Sequence, residues 1–180
     1  MNLYLLRHTK VDCPSGFCYG QTDVDLVQTY EKEFAVIRSS LQHTVFDAVY
    51  SSPLQRCVKL AETFTNDQVR VHYDKRLMEL NFGLWEGKYW VDIEKMPEAK
   101  PWFDNYVGLP CPEGESYTDV LIRINAFLND LQKMTYKNVL IVCHAGSIRA
   151  IYTTINNCKP QDGFDLKVDY GQLIKIELHA

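Results

Sequence analysis

The chain has 180 residues, 46% of them hydrophobic and 23% charged, and a net charge of −4 at pH 7. Such a length fits a single domain, here residues 1–180, with enough chain to bury a sizeable core. The acidic balance excludes nucleic-acid binding driven by net charge, and no apolar run approaches the roughly 20 residues of a membrane span.

Leu3 to Leu6 reads as a short buried strand ending in Arg7-His8-Thr9. A fixed cation and a titratable nitrogen are costly to place behind such a strand for packing alone. The apolar run is too short for a secretory leader, so the cytoplasm is the expected location. Cys13 to Gln21 is a loop bearing Gly, Pro and Ser. Val27, Tyr30, Phe34, Ile37 and Leu41 recur at helical spacing. Phe46 to Tyr50 is a second strand. Ser52 as N-cap and Pro53 at the first helical position predict a helix start directly behind it. Val69, Val71 and Tyr73 alternate as a third strand.

From Asn81 to Pro112 the chain mixes Gly, Pro and all three tryptophans, Trp85, Trp90 and Trp102. The expected form is an excursion of short helical pieces covering one end of the sheet, with the tryptophans mainly as cover. Ser116, with Asp119 three residues on, opens a helix in a weaker relative of the capping box. Val139 to Cys143 is the most apolar strand and leads into His144-Ala145-Gly146. Leu173 to Leu178 closes the chain as an edge strand. Strands alternating with helices predict an α/β fold, a three-layer α/β/α sandwich on a mostly parallel sheet. The six cysteines are scattered without metal-ligand spacing and read as reduced residues, so no metal is expected. His43, His72 and His179 have no motif around them and read as surface or packing residues.

A parallel sheet gathers the carboxyl ends of its strands on one side, where open α/β sheets bind ligands. Arg7, His8, Arg56 and His144 then converge with a helix N-terminus. Two arginines, two histidines and free backbone N–H groups suit a phosphate dianion.

In this order the residues resemble the histidine phosphatase superfamily, the phosphoglycerate-mutase-like proteins. The matching pieces are Leu6-Arg7-His8, Gly20-x-x-Asp23-x-x-Leu26, Ser51-Ser52-Pro53-Leu54-x-Arg56, Leu77-x-Glu79, Gly83-x-Trp85-Glu86-Gly87, Gly114-Glu115-Ser116, Val142-x-His144-Ala145-Gly146 and Tyr170-Gly171. The resemblance implies a nucleophilic His8 that carries the phosphoryl group, and a clamp of Arg7, Arg56 and His144, with Ala145 beside it. It implies Glu79 as general acid, with Glu86 as the competing carboxylate. Gln21 and Thr22 lie on the loop facing the site; they either touch substrate or only shape the loop. No cofactor is implied, and the partner is a small phosphorylated metabolite.

Thr9 stands where the family most often has Gly, and Val11 to Pro14 where many members place an Asn. Thr9 must therefore keep an ordinary backbone conformation, and Thr9, Gln21 or a loop amide is expected to replace the missing donor. The segments Cys18 to Leu26 and Asn81 to Trp90 resemble the α-ribazole phosphatase subgroup, which acts in cobalamin nucleotide-loop assembly. The alternatives are a phosphatase of sugar or nucleotide phosphates, a phosphoglycerate mutase, or a non-catalytic phospho-ligand binder.

Overall fold

The computed structural model describes residues 1–179; residue 180 of the expected domain lies outside them. Five strands form one sheet: β1 (Asn2–Arg7), β2 (Ala48–Ser51), β3 (Val71–Tyr73), β4 (Asn138–Cys143) and β5 (Leu173–Glu177). Their spatial order is β3-β2-β4-β1-β5. The first four run parallel, and the last strand lies at the edge, as the sequence predicts; its antiparallel pairing with β1 is a finding of the structure.

The strands sort their side chains to two faces, following the period of two in a strand. Leu3, Leu5, Val139, Ile141 and Cys143 enter one core. Leu6, Val49, Leu140 and Val142 enter the other. The first face is covered by α5 (Tyr117–Leu131) and α6 (Ala145–Asn156), through Val120, Ile124, Ile148 and Ile151. The second is covered by α1 (Tyr30–Leu41) and α2 (Gln55–Ala61), through Phe34, Ile37, Cys57 and Leu60. This is the three-layer α/β sandwich expected from the alternation of elements. Ser116 and Asp119 cap α5 in a reciprocal capping box.

The excursion holds two short helices, α3 (Trp90–Ile93) and α4 (Ala99–Asp104). Trp85 is buried in the first core, and its ring meets Trp102 edge to face at 5.1 Å. Cover is therefore the right description of Trp85, whereas Trp102 faces a cavity described below. Helix α2 departs from expectation. It starts at Gln55 with Leu54 as N-cap, not at Pro53 behind Ser52. The Ser52 hydroxyl still accepts from the Leu54 N–H (3.4 Å), but it is shared with His144, and the first helical hydrogen bonds run to Leu54 O. Among the described residues no helix is long and apolar enough to cross a membrane.

Candidate active site

The carboxyl ends of β1, β2 and β4 bring Arg7-His8, Ser52 and His144 to one crevice. The strand ladder continues past the strand ends. The His8 N–H donates to Cys143 O (3.1 Å), the Ser52 N–H donates to Val142 O (3.0 Å), and the Gly171 N–H donates to His8 O (3.1 Å). These bonds fix the backbone from which the site's side chains project.

His8 is 1% exposed, and its Nδ1 lies 2.8 Å from Thr9 O. A carbonyl can only accept, so the proton of the neutral ring sits on Nδ1 and Nε2 keeps its lone pair. Burial holds the His8 pKa well below its ordinary value. The Arg56 and Arg7 charges push the same way, and the bond to Thr9 opposes them. His144 is also buried and held well below its ordinary pKa, by burial first and then by Arg56 and His8. Its Nε2 shares a 2.8 Å hydrogen bond with Ser52 Oγ, and Cys57 Sγ lies 3.5 Å away. The two imidazole centroids are 5.2 Å apart.

Arg56 is fully buried. Its guanidinium donates to Gly20 O (2.5 Å) and Thr22 O (2.9 Å), two carbonyls of one loop. No carboxylate pairs with it among the described residues, so a buried positive charge is held by carbonyl dipoles and the Tyr19 ring. Arg7 donates to Val168 O (2.7 Å). The Nε of each arginine and the hydroxyl of Thr9 are buried without a partner. Buried donors are ordinarily satisfied. Three unpartnered donors in residues that surround or adjoin His8 suit the binding of an anion.

Glu79 sits beside this cluster. Its carboxylate accepts from the Gly146 N–H (3.2 Å) and the Leu80 N–H (3.0 Å). A Cβ at Gly146 would collide with Glu79 Oε1, so the absent side chain is what lets the carboxylate reach the N-terminus of α6. Glu79 is also held from behind, since Gln21 Nε2 (2.8 Å) and Arg123 Nη2 (3.0 Å) both donate to its carbonyl. Arg123 in turn pairs with Glu115 at 2.9 Å.

Of the two carboxylates weighed from sequence, Glu86 is committed to the loop. It accepts from the Gln21 N–H (2.8 Å), the Thr22 N–H (2.7 Å), the Thr22 hydroxyl (2.5 Å) and the Phe82 N–H (3.1 Å). Gly20, at φ +36°, has no room for a side chain against Glu86 and Leu80 O. Gln21 and Thr22 thus shape the loop: the Thr22 hydroxyl is taken by Glu86, and its carbonyl holds Arg56. Thr9 keeps a negative φ, as its β-branch requires. Ala145 opens α6 and lines a neighbouring cavity.

That cavity, of about 340 Å³, adjoins the cluster at Glu79 and Gly146. Its walls include Phe82, Trp102, Phe103, Tyr106 and Phe164, with Arg149 at the edge. Two residues of the site carry no role in the sequence reading. Tyr170 stacks on Arg7, with Cζ 3.9 Å from the ring centroid, and Tyr19 lies over Arg56 at 5.1 Å. Arg123, paired with Glu115, is a third residue that the sequence reading does not single out.

Residues 3–180 match the family model described as "Histidine phosphatase superfamily (branch 1)". The chain belongs to the histidine phosphatase superfamily. Among its relatives is phosphoserine phosphatase 1 of Hydrogenobacter thermophilus, 29% identical over 160 residues that span 86% of this chain and 76% of the other. A second protein of that organism, provisionally named as another phosphoserine phosphatase, is 29% identical over 99% of this chain and 90% of its own length. The crystal structure of the α-ribazole phosphatase from Shigella flexneri superposes with a TM-score of 0.91. It covers 98% of this chain and 90% of that one at 24% identity, a likeness of fold.

Proposed function

We propose that the protein hydrolyses small phosphomonoesters through a phosphohistidine at His8. The observation that carries this reading is the His8 ring itself. It is neutral, buried, protonated at Nδ1 by the Thr9 contact, and flanked by two arginines with unpartnered buried nitrogens.

In the first step the His8 Nε2 lone pair attacks phosphorus as the ester P–O bond breaks. Glu79 gives a proton to the departing alkoxide. Arg7, Arg56, His144 and the amides at the start of α6 take up the charge on the equatorial oxygens. In the second step water attacks phosphorus, Glu79 takes its proton, and the P–N bond breaks. Inorganic phosphate and neutral His8 result. Ser52 keeps His144 oriented through both steps.

For the leaving group, we read the aromatic cavity beside Glu79 as a seat for a flat ring, and α-ribazole 5′-phosphate as the substrate. Support comes from the walls of Phe82, Trp102, Phe103 and Phe164 and from the fold shared with the Shigella enzyme. One observation favours a second reading. Arg149 stands at the cavity edge with no carboxylate partner among the described residues, its side chain donating only to Leu166 O. A cation there suits a substrate with its own carboxylate, such as phosphoserine, the substrate in the names of the Hydrogenobacter relatives.

Phosphate release from α-ribazole 5′-phosphate, phosphoserine, 3-phosphoglycerate and sugar phosphates decides among these. The highest kcat/KM is expected with α-ribazole 5′-phosphate. A clear preference for phosphoserine transfers the assignment to the second reading, and isomerisation of 3-phosphoglycerate without phosphate release contradicts both.

A further inference from the structure

The phosphate cradle has an aromatic mouth. Tyr170 lies flat on the Arg7 guanidinium, 3.9 Å from Cζ to the ring centroid. The same ring is 5.6 Å from the His8 ring. Tyr19 faces the other arginine, Arg56. The two phenol oxygens meet at 3.0 Å. Each tyrosine therefore covers one arginine of the pair, and their hydroxyls join the two rings.

A bridged pair of phenols holds two protons and uses one. In the hydrogen bond between them one hydroxyl donates and the other accepts, and the acceptor keeps a proton to give elsewhere. Tyr19 is largely enclosed, and burial together with the Tyr170 bond pushes its pKa up. It stays a neutral phenol and remains a donor at any pH at which the histidines act. Tyr170 is 40% exposed and forms no other hydrogen bond among the described residues. Either hydroxyl can be the donor of that bond; when Tyr19 donates, the spare proton is left on Tyr170, whose ring is 5.6 Å from the His8 ring.

We infer that the Tyr19–Tyr170 hydroxyl pair is a further part of the phosphate site: Tyr170 donates to a phosphoryl oxygen, and Tyr19 positions and polarises it by donating from behind. The pair would supply the donor left missing by Val11 to Pro14. Donation to an anion is stronger than between neutral groups, and a hydroxyl that itself accepts a bond is a better donor. The inference rests on the proposed reading of the His8 cluster as a phosphoryl site.

The test measures orthovanadate affinity by calorimetry and p-nitrophenyl phosphate kinetics in the wild type, Tyr170→Phe, Tyr19→Phe and the double variant. Phenylalanine keeps the rings on the arginines and removes only the hydroxyls. Tyr170→Phe is expected to weaken vanadate about tenfold and to lower kcat/KM by a similar factor, the scale of one charge-assisted hydrogen bond. Tyr19→Phe is expected to cost about threefold, and the double variant no more than Tyr170→Phe alone. A Tyr19 that only packed would leave that non-additivity absent. The inference is overturned if all variants stay within twofold of wild type, or if the double variant loses the product of the two single effects. A wild type that binds no vanadate instead overturns the phosphoryl-site reading beneath it.

Discussion

The Nδ1 of His8 and the carbonyl of Thr9, 2.8 Å apart, decide which nitrogen of the imidazole is available for chemistry. The residue that departs from the family's usual glycine is thus the one that sets the tautomer. The main-chain oxygen does this, so the threonine side chain is not needed for it.

pH dependence follows from the same ring. A histidine whose pKa is held down stays neutral, and so nucleophilic, below the ordinary value of about 6.5. The acid limb of kcat/KM attributable to His8 is therefore expected below pH 6.5. Stability falls in the same direction, but from a higher pH. Below pH 6.5 the unfolded chain binds protons at His8 and His144 that the folded protein refuses, so stability falls as pH drops through that value. Denaturant unfolding at pH 7.5 and pH 5.5 checks this. His144→Gln should lessen the difference, and an unchanged slope would remove His144 from the explanation.

Gly146→Ala places a methyl group against Glu79 Oε1. The carboxylate must swing away from the start of α6. Activity toward alkyl phosphates is expected to fall at least tenfold, with p-nitrophenyl phosphate much less affected because its leaving group needs little protonation. Glu79→Gln should give the same leaving-group pattern. Equal losses on both substrates would deny Glu79 the acid role.

Glu86→Ala leaves the amides of Gln21, Thr22 and Phe82 without their acceptor. The Gln21 and Phe82 amides are only part-buried and that of Thr22 is exposed, so a loss of about 1 kcal/mol in unfolding free energy is expected, the low end of the cost of an unsatisfied group. The loop carbonyls that hold Arg56 would loosen too, and KM should rise more than kcat falls. A stable variant with unchanged KM would show that Arg56 does not depend on this loop.

Arg123→Met removes the cation that ties Glu115 to the carbonyls of Arg76 and Glu79. The half-buried Glu115 carboxylate is then unpaired, at a cost of about 3 kcal/mol. Thermal melts measure this loss, and a drop in kcat at unchanged KM would mark the displaced Glu79.

Much of the site is legible in sequence because its main residues ride on strand ends. Arg7, His8 and His144 each follow an apolar run, and the parallel sheet does the rest. What was not legible depends on distant pairings. The Tyr19–Tyr170 contact joins residues 151 apart in the chain, and although each lies in a segment that resembles the family, nothing in either segment pairs them. Arg123 stands in no motif, and its tie to Glu115, eight residues earlier, shows only in the folded chain. The start of α2 falls two residues later than Ser52-Pro53 suggests, because the Ser52 hydroxyl both accepts from the Leu54 N–H and pairs with His144, a partner supplied by the neighbouring strand.

His8 is expected to carry a covalent phosphoryl group during turnover. Wild-type protein mixed with excess p-nitrophenyl phosphate, quenched within milliseconds at alkaline pH and digested, should yield a peptide phosphorylated at Nε2 of His8 by tandem mass spectrometry. The modification should be acid-labile and absent from His8→Ala, which should release no phosphate. Phosphate release at full rate from His8→Ala, with no phosphohistidine trapped at any time in the wild type, would contradict the account.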